Sequence, residues 1–213
     1  MSGQLRRVRW LIAALLICLL NSGCNPFVAL YFLFLLPRPK VPAACKALEG
    51  QKVLLFTYAS PTARFESPSV AQELTRRVVR HLKRNVDDIE LVDLRLVEDY
   101  IDSHPDCEVT KVAEHFEATR ALYIEINDFS LYERESTQLY RGRAQIHLKV
   151  YDIEKDGELV WEDCLDLVYP GVRPVPVSDV SYTAFRLKVY EYVARRIATR
   201  FFAYRPHEDF TIN

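Results

Sequence analysis

Histidine and cysteine are the side chains of this 213-residue sequence best suited to metal binding or nucleophilic chemistry, and their spacing favours neither. No two of the five histidines stand four residues apart, and no H-E-x-x-H motif occurs. No two of the five cysteines show the C-x-x-C spacing of zinc knuckles or thioredoxin-type redox sites. The sequence HPDC at residues 104–107 could supply three ligands, but a surface turn is the simpler interpretation. We therefore expect no metal site.

Motifs that would mark an enzyme are also missing from the sequence. It contains no G-x-S-x-G nucleophile elbow, no P-loop and no G-x-G-x-x-G phosphate loop. Glu133 and Glu135 flank Arg134 and could form a carboxylate pair, but a charged strand end is the simpler interpretation. The sequence therefore predicts a non-catalytic protein without a cofactor, and a membrane-bound enzyme of unknown activity is the alternative.

Three parts of an export signal stand at the amino end. Three arginines come within the first nine residues, and an apolar run covers residues 10–20. The small residues Ser22 and Gly23 then precede Cys24. A helix of eleven residues rises about 16 Å, which is too short for a hydrocarbon core of about 30 Å. The first run therefore has the length of a signal peptide and not that of a membrane span.

This pattern resembles the signal sequence of bacterial lipoproteins, whose mature chain begins with an invariant cysteine that carries the lipid. The ending Ser22-Gly23-Cys24 matches that family, whereas Asn21 stands where the family usually has leucine. The resemblance implies cleavage before Cys24 and a covalent lipid on that residue. A single-pass membrane protein with an uncleaved amino-terminal helix is the alternative.

The sequence divides into four parts. A second apolar run, residues 27–36, is too short to span a bilayer and is expected to lie in the membrane interface or to pack onto the domain. We predict a signal peptide over residues 1–23, then a lipidated cysteine, apolar membrane-proximal helix and proline-rich tether over 24–51. An α/β domain over 52–205 and a polar tail over 206–213 follow.

Hydrophobic periodicity predicts the elements of the domain. The run KVLLFTY, which begins at Lys52, is expected to be a buried strand, and ASPTARFESP after it a loop. Ser67 and Pro68 then form a helix start, and apolar residues recur every four positions from Val70 to Leu82. Further on we predict a strand at 89–94, helices at 96–101 and 109–118, a strand within 120–136, and a long helix at 181–204. That last helix is expected to bury Phe185, Leu187, Val189, Tyr192, Val193, Ile197 and Phe201.

The clearest local pattern is a β-hairpin. Over residues 140–151 the even positions are mostly apolar and the odd ones mostly polar, as in a strand with one face in water. The sequence EKDG makes the turn, and an apolar face continues on the return strand. Matching the apolar faces gives three cross-strand pairs: Val150 with Trp161, Ile146 with Leu165, and Lys149 with Glu162.

The element order β-α-β-(α)-α-β-β-β-α predicts an α/β (α+β) fold. We expect a single mixed sheet of about five strands with a long antiparallel hairpin, packed by amphipathic helices that include a long C-terminal one. The order and the opening KVLLFTY resemble the α/β domain of bacterial envelope-assembly lipoproteins: the curli-secretion lipoprotein, the lipoprotein activators of penicillin-binding proteins, and the amino-terminal domain of TolB. The resemblance implies a binding or assembly module and transfers no catalytic residue.

The wet face of the hairpin is the best candidate for a partner surface, because it is rigid, flat and of mixed chemistry. An ordinary exposed sheet face is the alternative. The net charge of −1 and the export signal argue against nucleic acid as a partner. We therefore expect membrane lipid and envelope proteins as partners, with the domain on the periplasmic side of a bacterial inner or outer membrane. The candidate residues are Arg141, Arg143, Gln145, His147 and Lys149.

Three cysteines lie beyond the predicted anchor: Cys45, Cys107 and Cys164. Because their number is odd, at most one intrachain disulfide can form among them. Free thiols are the alternative.

Overall fold

The computed structural model describes residues 40–206, which contain six strands and five α-helices. Cys24, the second apolar run and residues 207–213 lie outside the described residues. The strands are β1 (Lys52–Ala59), β2 (Glu90–Leu91), β3 (Arg120–Tyr132), β4 (Leu139–Asp152), β5 (Glu158–Tyr169) and β6 (Val175–Pro176). The helices are α1 (Pro61–Glu66), α2 (Val70–Asn85), α3 (Leu94–Ser103), α4 (Val109–His115) and α5 (Tyr182–Ala198). The predicted fold class is confirmed.

One mixed sheet joins all six strands, in the order β2-β1-β3-β4-β5 with β6 paired to the start of β4. β1 runs parallel to β2 and β3, whereas β3, β4 and β5 are antiparallel neighbours. A strand with one buried face resists a one-residue slip, since the slip would turn its apolar side chains to water. The predicted register is confirmed: Val150 lies opposite Trp161, Ile146 opposite Leu165, and Lys149 opposite Glu162.

The main core lies between one face of the sheet and the helices α2 and α5. Four apolar residues spaced four positions apart on α2 are fully buried, as the spacing predicted: Val70, Leu74, Val78 and Leu82. In α5 the prediction for Leu187 is wrong, since this residue is 44% exposed. Leu187 lies two residues from both Phe185 and Val189, and two helical steps turn a side chain by about 200°. The buried stripe of α5 consists of Phe185, Val189, Tyr190, Val193, Ala194, Ile197 and Ala198.

A partly buried contact between a histidine and a carboxylate joins α2 to α5. His81 Nε2 lies 2.7 Å from Glu191 Oε1, and Arg77 and Arg80 approach the other oxygen of Glu191 at 3.7 and 3.8 Å. The hydrogen bond from His81 holds the pKa of Glu191 below its usual value. The charges of Arg77 and Arg80 on α2 are therefore partly neutralised by a carboxylate from α5.

The opposite face of the sheet is covered only in part. The helices α3 and α4 pack over β1 and the start of β3, where Leu54 and Ala121 contact Val97, Val112 and Ala113. Among the described residues, no helix covers the rest of that face on β3, β4 and β5. We call this uncovered surface the open face.

The segment after β1 differs from the prediction, because it contains the helix α1 and not only a loop. Ser60 caps α1 by accepting a hydrogen bond from the Ala63 N–H at 3.2 Å, and Pro61 opens the helix. Ser67 is not the cap of α2, which begins three residues later. Its hydroxyl lies 2.5 Å from the buried Tyr190 hydroxyl. The chain has two Ser-Pro pairs, and only the first one starts a helix.

Residues 41–51, predicted as part of a tether, pack onto the domain. Cys45 and Leu48 belong to the main core, and Val41 and Tyr204 exchange two backbone hydrogen bonds of 2.8 and 3.0 Å. Cys45, Cys107 and Cys164 are free thiols, and burial raises the pKa of the Cys45 thiol. Between residues 40 and 206, no helix combines the length and apolarity needed to cross a membrane.

The buried hydroxyl pair gives a stability prediction. Tyr190→Phe leaves the buried Ser67 hydroxyl without its partner, and we expect a loss of about 1–1.5 kcal/mol in the free energy of unfolding. Urea denaturation should show a lower midpoint at an unchanged m-value. The double variant Tyr190→Phe/Ser67→Ala removes both groups and should lose less than the sum of the single changes. An additive double variant would contradict the predicted coupling.

Candidate docking face

The five residues predicted as a partner surface all lie on the open face. They occupy the odd positions of β4, while the even positions of the same strand are in the core. Gln145 is exposed and the other four are half-buried. Their role in binding stays a prediction. The residues are Arg141, Arg143, Gln145, His147 and Lys149.

Two of these residues are held by a single carboxylate. Arg141 Nη1 donates to Glu133 Oε2 at 2.9 Å, and Arg143 Nη2 donates to Glu133 Oε1 at 2.7 Å. The backbone N–H of Arg134 also donates to Glu133, at 3.0 Å. The hydrogen bonds from Arg141 and Arg143 lower the pKa of Glu133 to about 2. The two arginines are therefore fixed in position, and Glu133 forms this clamp and not a carboxylate pair with Glu135.

The Glu133 clamp predicts a pH dependence. Because the folded pKa is lowered, the stabilisation from the clamp is present above the usual carboxyl value of 4.5 and is lost as the pH falls through about 2. Carboxyl-carbon NMR should therefore give Glu133 a midpoint of about 2. Arg143→Ala should move it upward. Arg134→Ala is the control, since only its backbone contacts Glu133, and an equal shift in both variants would contradict the clamp.

The centre of the open face carries a mixed-charge group of four residues. His147 lies between two carboxylates, with Nδ1 at 3.7 Å from Glu125 Oε2 and Nε2 at 3.5 Å from Glu162 Oε2. Lys149 Nζ lies 3.6 Å from Glu125 Oε2, although Glu162 is its cross-strand neighbour. The open face is thus polar and contains several ion pairs, and neither positive nor negative charge is in strong excess.

An aromatic cleft adjoins this charged group. Tyr123 forms its boundary, because the ammonium of Lys149 lies 5.7 Å from the centre of the Tyr123 ring. The cleft has a volume of about 440 Å³. Its aromatic walls come from three strands that lie side by side, β1, β3 and β4. It is lined by Phe56, Tyr58, Tyr123 and Tyr151 together with Cys107, Glu108, Val109 and Thr110.

The ring of Tyr123 is partly removed from water. Its centre lies 5.7 Å from that of Phe56, and burial, followed by the nearby charge of Glu125, raises the pKa of Tyr123 to about 12. Tyr58 is 40% exposed at the rim. The cleft therefore offers large aromatic rings, and the phenol of Tyr123 stays protonated at neutral pH.

The aromatic cleft was not predicted from the sequence. Its residues alternate along their strands, Phe56 and Tyr58 in β1 and Tyr123 in β3, which was a usable signal. The sequence does not show that β1 and β3 lie side by side. Their parallel pairing in the sheet brings these rings together.

A row of possible catalytic side chains crosses the open face but does not form a catalytic site. Cys164, His147 and Glu125 are cross-strand neighbours on β5, β4 and β3. Both ring nitrogens of His147 face carboxylates, and no hydrogen bond joins His147 to Cys164 in the described part of the chain. A nucleophile activated by a base is not assembled here. Within the same range, no three His, Cys, Asp or Glu side chains gather into a metal site.

Comparisons with known proteins give structural likenesses alone. No protein-family model matches the sequence, and no curated protein matches it. Solved structures similar to it include the PelC dodecamer from Paraburkholderia phytofirmans, at 9% identity over 76% of this chain and 94% of that one, with a TM-score of 0.45. The lipoprotein GNA1162 from Neisseria meningitidis is similar at 10% identity over 69% and 97% of the two chains, with a TM-score of 0.44.

A third similar structure is the LpoB C-terminal domain from Salmonella enterica. It is 13% identical over 57% of this chain and 84% of that one, with a TM-score of 0.39. All three likenesses are in fold, at 13% sequence identity or less.

Proposed function

We propose that this chain is an exported, lipid-anchored and non-catalytic module of the bacterial cell envelope, which binds a protein partner on its open face. The export proposal rests on the arginines, apolar run and Ser22-Gly23-Cys24 ending of the amino-terminal sequence. The binding proposal rests on one observation. The aromatic cleft, which α4 borders, adjoins the charged group of the open face, so that apolar rings and charged side chains lie side by side.

The chemistry of this surface suits a protein partner. Protein interfaces are enriched in tyrosine and other aromatic residues at their centre and carry a polar rim. Here the cleft supplies tyrosines, and Glu125, His147 and Lys149 stand beside it as rim groups. An ion pair joins Lys149 to Glu125, and Glu133 holds Arg141 and Arg143. Because these side chains are positioned before binding, little side-chain entropy is lost when a partner docks.

Crosslinking in cells tests the docking face. A photo-crosslinking amino acid at Gln145 of the full chain should capture a discrete envelope protein, and Tyr58→Ala should weaken that capture. The matched control carries the crosslinker at Leu187, which is exposed on the outer side of α5. The same captured bands from both positions, or no capture at Gln145, would contradict a docking role for the open face.

The proposed anchor is tested at Cys24. Cys24→Ala should weaken membrane attachment and change the mobility and mass of the protein, because the variant has no thiol to carry the acyl chains. Cys164→Ala is the control, since Cys164 is an exposed free thiol in the domain. Membrane attachment, mobility and mass that all stay unchanged in Cys24→Ala would favour the single-pass alternative.

A further inference from the structure

The strand β1 has one backbone edge that is mostly unpaired among the described residues. It pairs with β3 along Val53–Ala59, but it pairs with β2 only at Lys52 and Val53. The last hydrogen bond on the β2 side runs from the Val92 N–H to the Val53 carbonyl, at 3.1 Å. Six residues of β1 therefore extend beyond their neighbour.

The direction of the exposed backbone groups follows from strand alternation. The carbonyls of Gln51 and Val53 accept from the β2 side, whereas the carbonyl of Lys52 accepts from Thr119 at the start of β3. The odd positions of β1 thus direct their backbone toward β2. The N–H and C=O groups of Leu55 and Thr57 therefore point to the same side as those of Val53. β2 has ended at this point, and no described strand lies beside them.

The space beside Leu55 and Thr57 is an open slot. Its volume is about 270 Å³, and it lies between α2, which supplies Ala71 and Thr75, and α3, which supplies Val97. The slot stays open because β2 ends early. Asp93 accepts a hydrogen bond from the Arg95 N–H at 2.9 Å and starts α3, which turns the chain away from the sheet.

The chemistry of the slot defines its occupant. The hydroxyl oxygens of Thr57 and Thr75 lie 2.7 Å apart, so these two groups pair with each other and leave backbone groups, apolar side chains and carboxylates for an occupant. Glu98, Asp99 and Asp102 of α3 also line it, and no ion pair holds them in the part of the chain that the structure describes. Such a wall attracts basic side chains.

We infer that the slot between α2 and α3 binds an extended segment of a partner protein as an added strand beside β1, with lysine or arginine side chains directed at Glu98, Asp99 and Asp102. Added strands gain affinity from main-chain hydrogen bonds, and alternate side chains give specificity. This site lies at the β2-side edge of β1, whereas the docking surface lies on a face of the sheet, and Phe56 is the one lining residue that the slot shares with the aromatic cleft. It is independent of the proposed function, and either can fail alone.

The test uses the full chain and two synthetic hexapeptides. One peptide alternates lysine with valine, and the other alternates glutamate with valine. The lysine peptide should bind at least about tenfold more tightly, and its binding should weaken with added salt. Amide hydrogen exchange followed by NMR should show new protection at Leu55 and Thr57 on binding.

Charge reversal gives the matched variants. Glu98→Lys/Asp102→Lys should weaken binding of the lysine peptide by at least about tenfold. Glu49→Lys, at an exposed glutamate on residues 41–51, should leave it unchanged. Three results would each overturn the inference: equal binding of both peptides, binding without new protection at Leu55 and Thr57, or strong protection of these amides in the free chain. The last would mean that the chain fills its own slot.

Discussion

Phe129→Ala is expected to lower the free energy of unfolding by about 3–5 kcal/mol, the largest effect of any single change considered for this protein. Phe129 has no exposed surface, and its ring centre lies 5.5 Å from that of Tyr190 on α5. Truncation removes the buried ring and leaves a cavity between β3 and α5. Since a domain is stable by only about 5–15 kcal/mol, much of the folding free energy is lost.

The chain offers a matched control at Phe65. This residue of α1 is 87% exposed, so the same substitution should change the free energy of unfolding by less than about 0.5 kcal/mol. Chemical denaturation of both variants makes the comparison. Equal destabilisation at the two positions would contradict the burial of Phe129 and with it the packing of α5 on β3.

Gly142→Ala is expected to cost about 2–3 kcal/mol, because it overfills the contact between β4 and α5. A Cβ atom at Gly142 would lie 2.6 Å from both methyl carbons of Val189, which is fully buried. Real Cβ contacts are not that short, so β4 or α5 must move. Gly142 stands between Arg141 and Arg143, and the Glu133 clamp on the open face should loosen with it.

Two variants isolate the cause of this effect. Gly171 has no heavy atom within 4 Å of the same added Cβ, so Gly171→Ala should be near neutral. Val189→Ala combined with Gly142→Ala should be less destabilised than the two separate losses predict, because it removes the clashing methyl groups. Thermal unfolding of the two glycine variants, of Val189→Ala and of the double variant gives the loss of stability of each relative to the wild-type chain. If the double variant loses as much stability as the two single changes together, the contact between Gly142 and Val189 is not the cause.

The hairpin of β4 and β5 could be predicted because its physics is local. Two strands with period-two patterning have one pairing that buries both apolar faces, and this pairing also brings Lys149 opposite Glu162. The helix α2 was predictable for a similar reason, as one apolar stripe identifies its buried side. Short elements were not predictable: α1 has six residues and β6 two, too few for a period to appear.

The candidate docking face was predictable only in outline. Alternation identified which side chains of β4 share a face, but not which of them are already held by neighbours. Glu133 clamps Arg141 and Arg143 from outside their strand, and Glu125 takes the Lys149 ammonium in place of the cross-strand Glu162. Long side chains reach diagonal partners, so register alone does not decide such pairs.

The open slot beside β1 was not predicted, because the sequence indicated a strand over residues 89–94, which would have filled this space. The observed β2 has two residues, since the cap at Asp93 starts α3 early. The pattern of IELVDL fits a strand as well as a strand end followed by a helix start. Only the packing of α3 against the sheet decides between a longer strand and an early helix start.

The intact mass of the mature protein, purified from bacterial membranes, tests most directly the proposal that this chain is an exported, lipid-anchored binding module. We predict a chain that begins at Cys24, with its mass increased by covalently attached acyl chains. A chain that begins at Met1 or Ser2, with Cys24 unmodified, would contradict the account.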